Sequence, residues 1–167
     1  ATRFYLMFSS LNIKNFRIYW LGTFISLVGT WIQIVAQSWL VFELTHSVFL
    51  LGLVGFLGSL PIFILSLFGG VLADRMNKKN ILIFTQTAFM CLTFLLAVLT
   101  QAKLITPGQI MLIAVLNGVV MAFDAPSRQA MVVELVGKDH LFNAVALNSL
   151  AFNSSRIIGP ALTGILV

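Results

Sequence analysis

Carboxylates and cysteine are scarce in this 167-residue chain, which holds five Asp and Glu residues and one cysteine, Cys91. A single thiol has no partner for a disulfide within the chain, so a disulfide-stapled fold is excluded. No G-x-x-x-x-G-K-[ST] loop and no H-E-x-x-H pair occurs, which removes the usual phosphate cradle and zinc-hydrolase constellations. The acids, Glu43, Asp74, Asp124, Glu134 and Asp139, all fall where apolar runs end or in the segments between them. No acid pair able to carry out hydrolysis is therefore expected inside a span. The chain reads as neither an enzyme nor a cofactor or metal protein.

Charge is missing over long stretches. Nothing ionised stands between Arg17 and Glu43, between Glu43 and Asp74, between Lys79 and Lys103, or between Lys103 and Asp124. Each run reaches or exceeds the ~20 residues with which an α-helix crosses the ~30 Å hydrocarbon layer of a bilayer. With 59% of residues hydrophobic and 9% charged, an all-α membrane protein is expected. A β-barrel needs alternating polarity, which runs such as "FLLAVLT" lack. Five spans are placed at about 16–42, 48–73, 80–101, 110–123 and 141–167. The chain starts without Met and stops inside an apolar run, and so reads as a piece of a longer protein. The first 17 residues carry neither the apolar core nor the cleavage site of a signal peptide.

The net charge of +5 is a matter of topology rather than nucleic-acid binding. These spans put Arg3, Lys14, Arg17, Arg75, Lys78, Lys79, Arg128 and Lys138 on one side of the membrane and Lys103 on the other. By the positive-inside rule the N-terminus and the "DRMNKKN" segment are cytoplasmic, in a cell (inner) membrane. His46 and His140 fall on opposite sides and cannot share a metal ion.

Along the spans, Ser26, Thr30, Gln33 and Gln37 recur at helical spacing and define a polar face of the first, which faces protein or water rather than lipid. Trp20 and Trp39 suit the interfacial aromatic belts. In the second span Gly52, Gly55 and Ser59 form a small-residue stripe for close packing, and Pro61 a bend. The third span, with no ionisable group, reads as scaffold. "AKLITPGQ" reads as a tight turn punctuated by Pro-Gly. After the fourth span, Asp124 and Pro126 precede a separate interfacial helix over Ser127 to Val136, ended by Gly137, with Asp139 capping the next helix. In the fifth span Ser149, Asn153 and Arg156 share a face. An arginine at that depth faces a cavity or a partner, either as a functional group or tied to backbone carbonyls of the bundle.

Gly70 to Lys79, "GVLADRMNKK", resembles the signature G-x-L-A-D-R-x-G-R-K between the second and third helices of the major facilitator superfamily, with Asn77 in place of Gly and Lys78 in place of Arg. "GPALTG" resembles the superfamily's antiporter motif G-P-x-x-G-G through Gly159, Pro160 and Gly164. Thr163 replaces one glycine and Ser155 stands where another is usual. "WIQIVAQSWLVFELTHS", "DAPSRQAMVVELVG" and "LFNAVALNSLAFNSSRIIGPALTG" are similar to the branch of enterobactin exporters and macrolide efflux proteins, over nearly the whole chain.

That resemblance implies a major-facilitator bundle of twelve spans in two six-helix halves, with about five spans of the first half here and a C-terminal half-bundle to follow. It implies a gating loop in which Asp74 meets a helix N-terminus of the other half. Gly70, Arg75, Lys78 and Lys79 belong to the same loop, and the basic residues hold the inner end of the fourth span near Asp124. It also implies that the first, second, fourth and fifth helices line a central cavity. Gln33, Gln37, Asn117, Asn153 and Arg156 then become candidates to touch a small-molecule substrate, with interhelical hydrogen bonding the alternative for the amides. The expected function is proton-coupled export of a drug or siderophore-type molecule by alternating access. The alternatives are an uptake carrier of the same fold or a non-transporting membrane scaffold.

Overall fold

The computed structural model describes residues 9–137 and 140–166. Among the described residues, a short 3-10 helix, Ser9–Asn12, precedes five α-helices: α1 Lys14–Thr45, α2 Val48–Arg75, α3 Lys78–Gln101, α4 Pro107–Val136 and α5 Leu141–Leu166. No strand occurs among them. The first four helices are both long and apolar enough to cross a membrane. With 26 residues, α5 extends about 39 Å at 1.5 Å per residue, but Asn143, Asn148, Asn153 and Arg156 interrupt its apolar run.

Local chemistry sets the ends of these helices. Ser47 caps α2 by accepting the Leu50 N–H at 3.3 Å, and the Met76 N–H returns to the Leu72 carbonyl at the other end. Two residues then suffice to start α3, because the Asn77 side chain accepts the Lys79 N–H at 3.0 Å. Asn77 has φ −67°, so this turn does not need glycine's freedom. The Thr106 N–H donates to Gln109 Oε1 at 2.9 Å while the Gln109 N–H donates to Thr106 Oγ1 at 3.4 Å. This reciprocal capping box makes Pro107 the first residue of α4. The Pro-Gly pair thus opens a helix, and the turn expected there is confined to the residues before it. Gly137, at φ +67°, ends α4 in the left-handed conformation that favours glycine, its N–H on the Val133 carbonyl. Lys138 and Asp139, the latter expected to cap α5, lie outside the described residues, as does Arg3.

The expected break after Phe123 is absent. Pro126 lies inside α4, and Ser127 to Val136 continue the same helix rather than forming a separate interfacial one. Proline in a helix interior removes one hydrogen bond, here to the Ala122 carbonyl. That carbonyl faces the backbone of Gly69, whose hypothetical Cβ would lie 2.1 Å from the Ala122 oxygen. The carbonyl freed by Pro126 is thus covered by a neighbouring helix, and α4 runs on.

Contacts group the chain into two units, one of Ala1–Ala36 with Met131–Val167 and one of Gln37–Ala130. In the first, Phe16, fully buried, packs with Val132, Val136, Ala144 and Leu147. The Trp20 indole N–H donates to the Leu147 carbonyl at 3.0 Å, and Ser10 Oγ donates to the His140 carbonyl. In the second, Val41, Val54, Leu96, Ile110, Ile113 and Ala114 form the core. There α2 and α4 approach at two glycine contacts, Gly69 on Ala122 and Gly118 on Gly58. The stripe expected at Gly52, Gly55 and Ser59 is on the exposed side of α2, with open space beside both glycines. Close packing is carried instead by Gly58 and Gly69.

Candidate functional site

The turn between α2 and α3 presents a compact set of charges. Asp74, Arg75 and Lys79 are exposed and Lys78 is half-buried. Gly70, a turn back along α2, has open space beside its Cα. Arg75 occupies the last turn of α2, where a cation complements the partial negative charge of the helix end. Asp74 occupies the same turn with the opposite sign. Its own helix therefore disfavours the carboxylate, which is better placed against the N-terminus of another helix.

Asp124 sits apart from that exposed set. It is 1% exposed and lies well inside α4. Its Oδ1 accepts hydrogen bonds from Thr85 Oγ1 at 2.6 Å and Gln86 Nε2 at 3.0 Å, and its Oδ2 is ion-paired with Arg128 Nε one turn on. Thr85 lies about two turns into α3 from Lys78. The expectation that every acid lies at a span end or in a loop is corrected here: one carboxylate is buried. Burial of an ion is tolerated only with a counter-ion and satisfied lone pairs, and these three partners supply both. The third span is not featureless scaffold, since Thr85 and Gln86 are two of Asp124's three partners. A Thr-Gln pair two turns into an otherwise apolar helix was the available signal. Ser127, fully buried next to this group in sequence, has a hydroxyl without a hydrogen-bond partner among the described residues.

Around "GPALTG", Ser155, Gly159 and Thr163 are buried at successive four-residue intervals on α5. A Cβ on Gly159 would stand 2.4 Å from Trp31 Cβ and 3.2 Å from both the Ile32 nitrogen and the Val28 oxygen. Here α1 and α5 touch with no room for a methyl group. Ser155 Oγ donates to the Ala151 carbonyl, and Thr163 Oγ1 donates to the Gly159 carbonyl at 3.0 Å. Both hydroxyls are thus satisfied within α5 and leave its surface smooth for packing. Pro160 is half-buried, while Gly164 is exposed with open space around it. Thr163, not Gly164, completes the tight face.

Among the cavity candidates, Gln37 is buried, Gln33 and Asn117 are half-buried, and Asn153 and Arg156 are exposed. Asn117 Oδ1 is a buried atom with no hydrogen-bond partner among the described residues, an arrangement that membrane interiors penalise. Asn153 donates to the Ser149 carbonyl at 2.8 Å. The Arg156 guanidinium lies over the Trp31 ring, 5.7 Å from its centroid. Phe152 meets the same indole edge to face at 5.9 Å. Gln37 and Asn117 belong to one unit of the chain, and Gln33, Asn153 and Arg156 to the other. Trp31 was the aromatic that spacing arguments passed over.

Four helices long and apolar enough to cross a membrane define a multi-pass membrane protein, and it carries a charged two-residue turn, a buried acid satisfied by polar neighbours and an arginine stacked on an indole. The chain belongs to the transmembrane secretion effector family of the major facilitator superfamily, whose model matches residues 6–167, a family of transporters and not of enzymes. It is 33% identical over 147 residues to the staphyloferrin A transporter of Staphylococcus aureus, covering 87% of this chain and 37% of that protein. It is 30% identical over 147 residues to an uncharacterized MFS-type transporter of Bacillus subtilis, covering 86% of this chain and 33% of the relative. With the enterobactin exporter of Salmonella typhimurium it shares 30% identity over 154 residues, covering 91% of this chain and 37% of the relative. The chain thus spans about a third of the length of the curated relatives it matches. No solved structure matches it.

Proposed function

We propose that these helices are the N-terminal part of a proton-coupled secondary transporter that exports a small molecule of the drug or siderophore type by alternating access. A C-terminal half-bundle completes the protein in a cell membrane, and the N-terminus and the turn between α2 and α3 are cytoplasmic. Two relatives named for siderophores support the substrate class, and the exporter name of one supports the direction. Proton coupling rests on likeness to the superfamily.

The observation that carries the gate is the exposed Asp74 at the C-terminal end of its own helix. A carboxylate held there gains little from α2, and gains most when an opposing helix brings its N-terminus to it. Contacts of this kind between exposed charges are worth about 0–1 kcal/mol each, small enough to be released in every transport cycle. The test is export by the full-length protein in everted membrane vesicles, with Asp74→Asn and Arg75→Ala compared at equal membrane levels. The reading predicts several-fold slower transport in both. Wild-type rates in both would refute the gate, and flux of substrate only in the opposite direction would make the protein an uptake carrier.

A further inference from the structure

Resting on the transporter reading above, we infer that the α5 face bearing Arg156 is a binding site for an anion, with a carboxylate-bearing small molecule as its ligand. Three charged side chains, Asp124, Arg128 and Arg156, stand well inside helices away from any loop among the described residues. Asp124 already has its counter-ion in Arg128. Arg156 forms no ion pair with any described carboxylate, and its side chain is exposed rather than folded into the bundle. A guanidinium at that depth is retained only where water or an opposite charge reaches it.

The surroundings of Arg156 favour an anion. Its guanidinium lies over the Trp31 ring at 5.7 Å, within the range where cation–π attraction operates. Trp31 is itself braced by Phe152, and its Cβ is held against Gly159 with no slack. Stacking on an anchored indole limits the freedom of the long side chain and leaves the planar fork of N–H donors for a ligand. That fork matches the two oxygens of a carboxylate in a way a lysine ammonium does not. Asn153, exposed on the same helix and three residues away, adds an amide to the rim. The positive charge repels lipophilic cations, so the site discriminates by sign.

The experiment is calorimetric titration of the purified full-length protein with citrate, a simple polycarboxylate, and with tetraphenylphosphonium, a lipophilic cation. The expected result is citrate binding that weakens with added salt. Arg156→Gln should weaken it at least tenfold and Arg156→Lys less, with Trp31→Ala intermediate. Tetraphenylphosphonium should bind poorly to the wild type. Thermal unfolding checks that each variant is folded, and if Arg156→Gln is not, the graded loss in Arg156→Lys decides. Equal citrate affinity in wild type and variants overturns the proposal, because Arg156 then pairs with another part of the protein. Absence of citrate binding overturns it as well, whether or not the cation binds. Binding is read without flux, so failure here leaves the vesicle assay of the transporter reading standing.

Discussion

The Ala122 carbonyl oxygen of α4 stands 2.1 Å from where a Cβ on Gly69 of α2 would lie, and the Gly58 oxygen of α2 stands at the same 2.1 Å from where one on Gly118 of α4 would lie. Both obstacles are backbone atoms, which no rotamer change can move. The two helices are locked at this spacing by the absence of side chains.

Gly69→Ala and Gly118→Ala should each destabilise the protein by about 1–3 kcal/mol, the usual cost of overpacking. Gly52→Ala and Gly55→Ala, which meet open space, should be tolerated. Thermal unfolding of the four variants in detergent separates the pairs. Equal melting temperatures across them would mean that α2 and α4 do not meet at these glycines.

Gly159→Ala should be similarly damaging, and Trp31→Ala should fail to rescue it. The obstructing atom at 2.4 Å is Trp31 Cβ, which alanine keeps. A double variant as stable as Trp31→Ala alone would contradict the α1–α5 contact.

The group around Asp124 lends itself to a double-mutant cycle. Removing one partner of a buried ion pair costs about 3–5 kcal/mol because the other charge is left uncompensated. Arg128→Gln should therefore be strongly destabilising, and Asp124→Asn combined with it should cost much less than the sum of the single changes. Thr85→Val should cost less than Arg128→Gln, about 1–3 kcal/mol, through loss of one donor to a buried acceptor. Strict additivity in the cycle would show that the two charges act independently.

Asn77 offers a finer check. Its backbone is in a conformation open to any residue, and its side chain caps α3. Replacement by Gly, the residue usual in the resembled signature, should cost a few tenths of a kcal/mol, and replacement by Ala about 1 kcal/mol. A gain in stability on Asn77→Gly would indicate a strained turn instead.

The helices were legible in the sequence because charge-free runs and bilayer thickness are matched by simple arithmetic. What sits between helices was less so. Pro126 after Asp124 reads as a helix end, yet α4 continues through it, with the Ala122 carbonyl that it leaves unbonded covered by Gly69, which is far away in the chain. Gly52, Gly55 and Ser59 and the pair Gly58 and Gly69 are all small residues on one helix, and only the neighbour's position decides which side packs. Asp124 reads as a boundary charge for the same reason. Thr85 and Gln86, which satisfy it, are separated from it by most of two helices. Arg156 stands out in the sequence as a cation within an expected span, whereas its stacking on Trp31 depends on how α1 meets α5.

The most direct test of the central claim, that the polar face of α5 borders water within a transport protein, is single-cysteine labelling of the full-length protein in membranes. With Cys91 replaced by Ser, cysteines are placed singly at Asn153, at Ile158 on the opposite side of α5, and at Lys79 and Lys103. The account predicts that a small water-soluble maleimide reacts with position 153 and not with 158, and that positions 79 and 103 are reached from opposite sides of the membrane. A silent position 153 with a reactive 158, or 79 and 103 labelled from the same side, would contradict it.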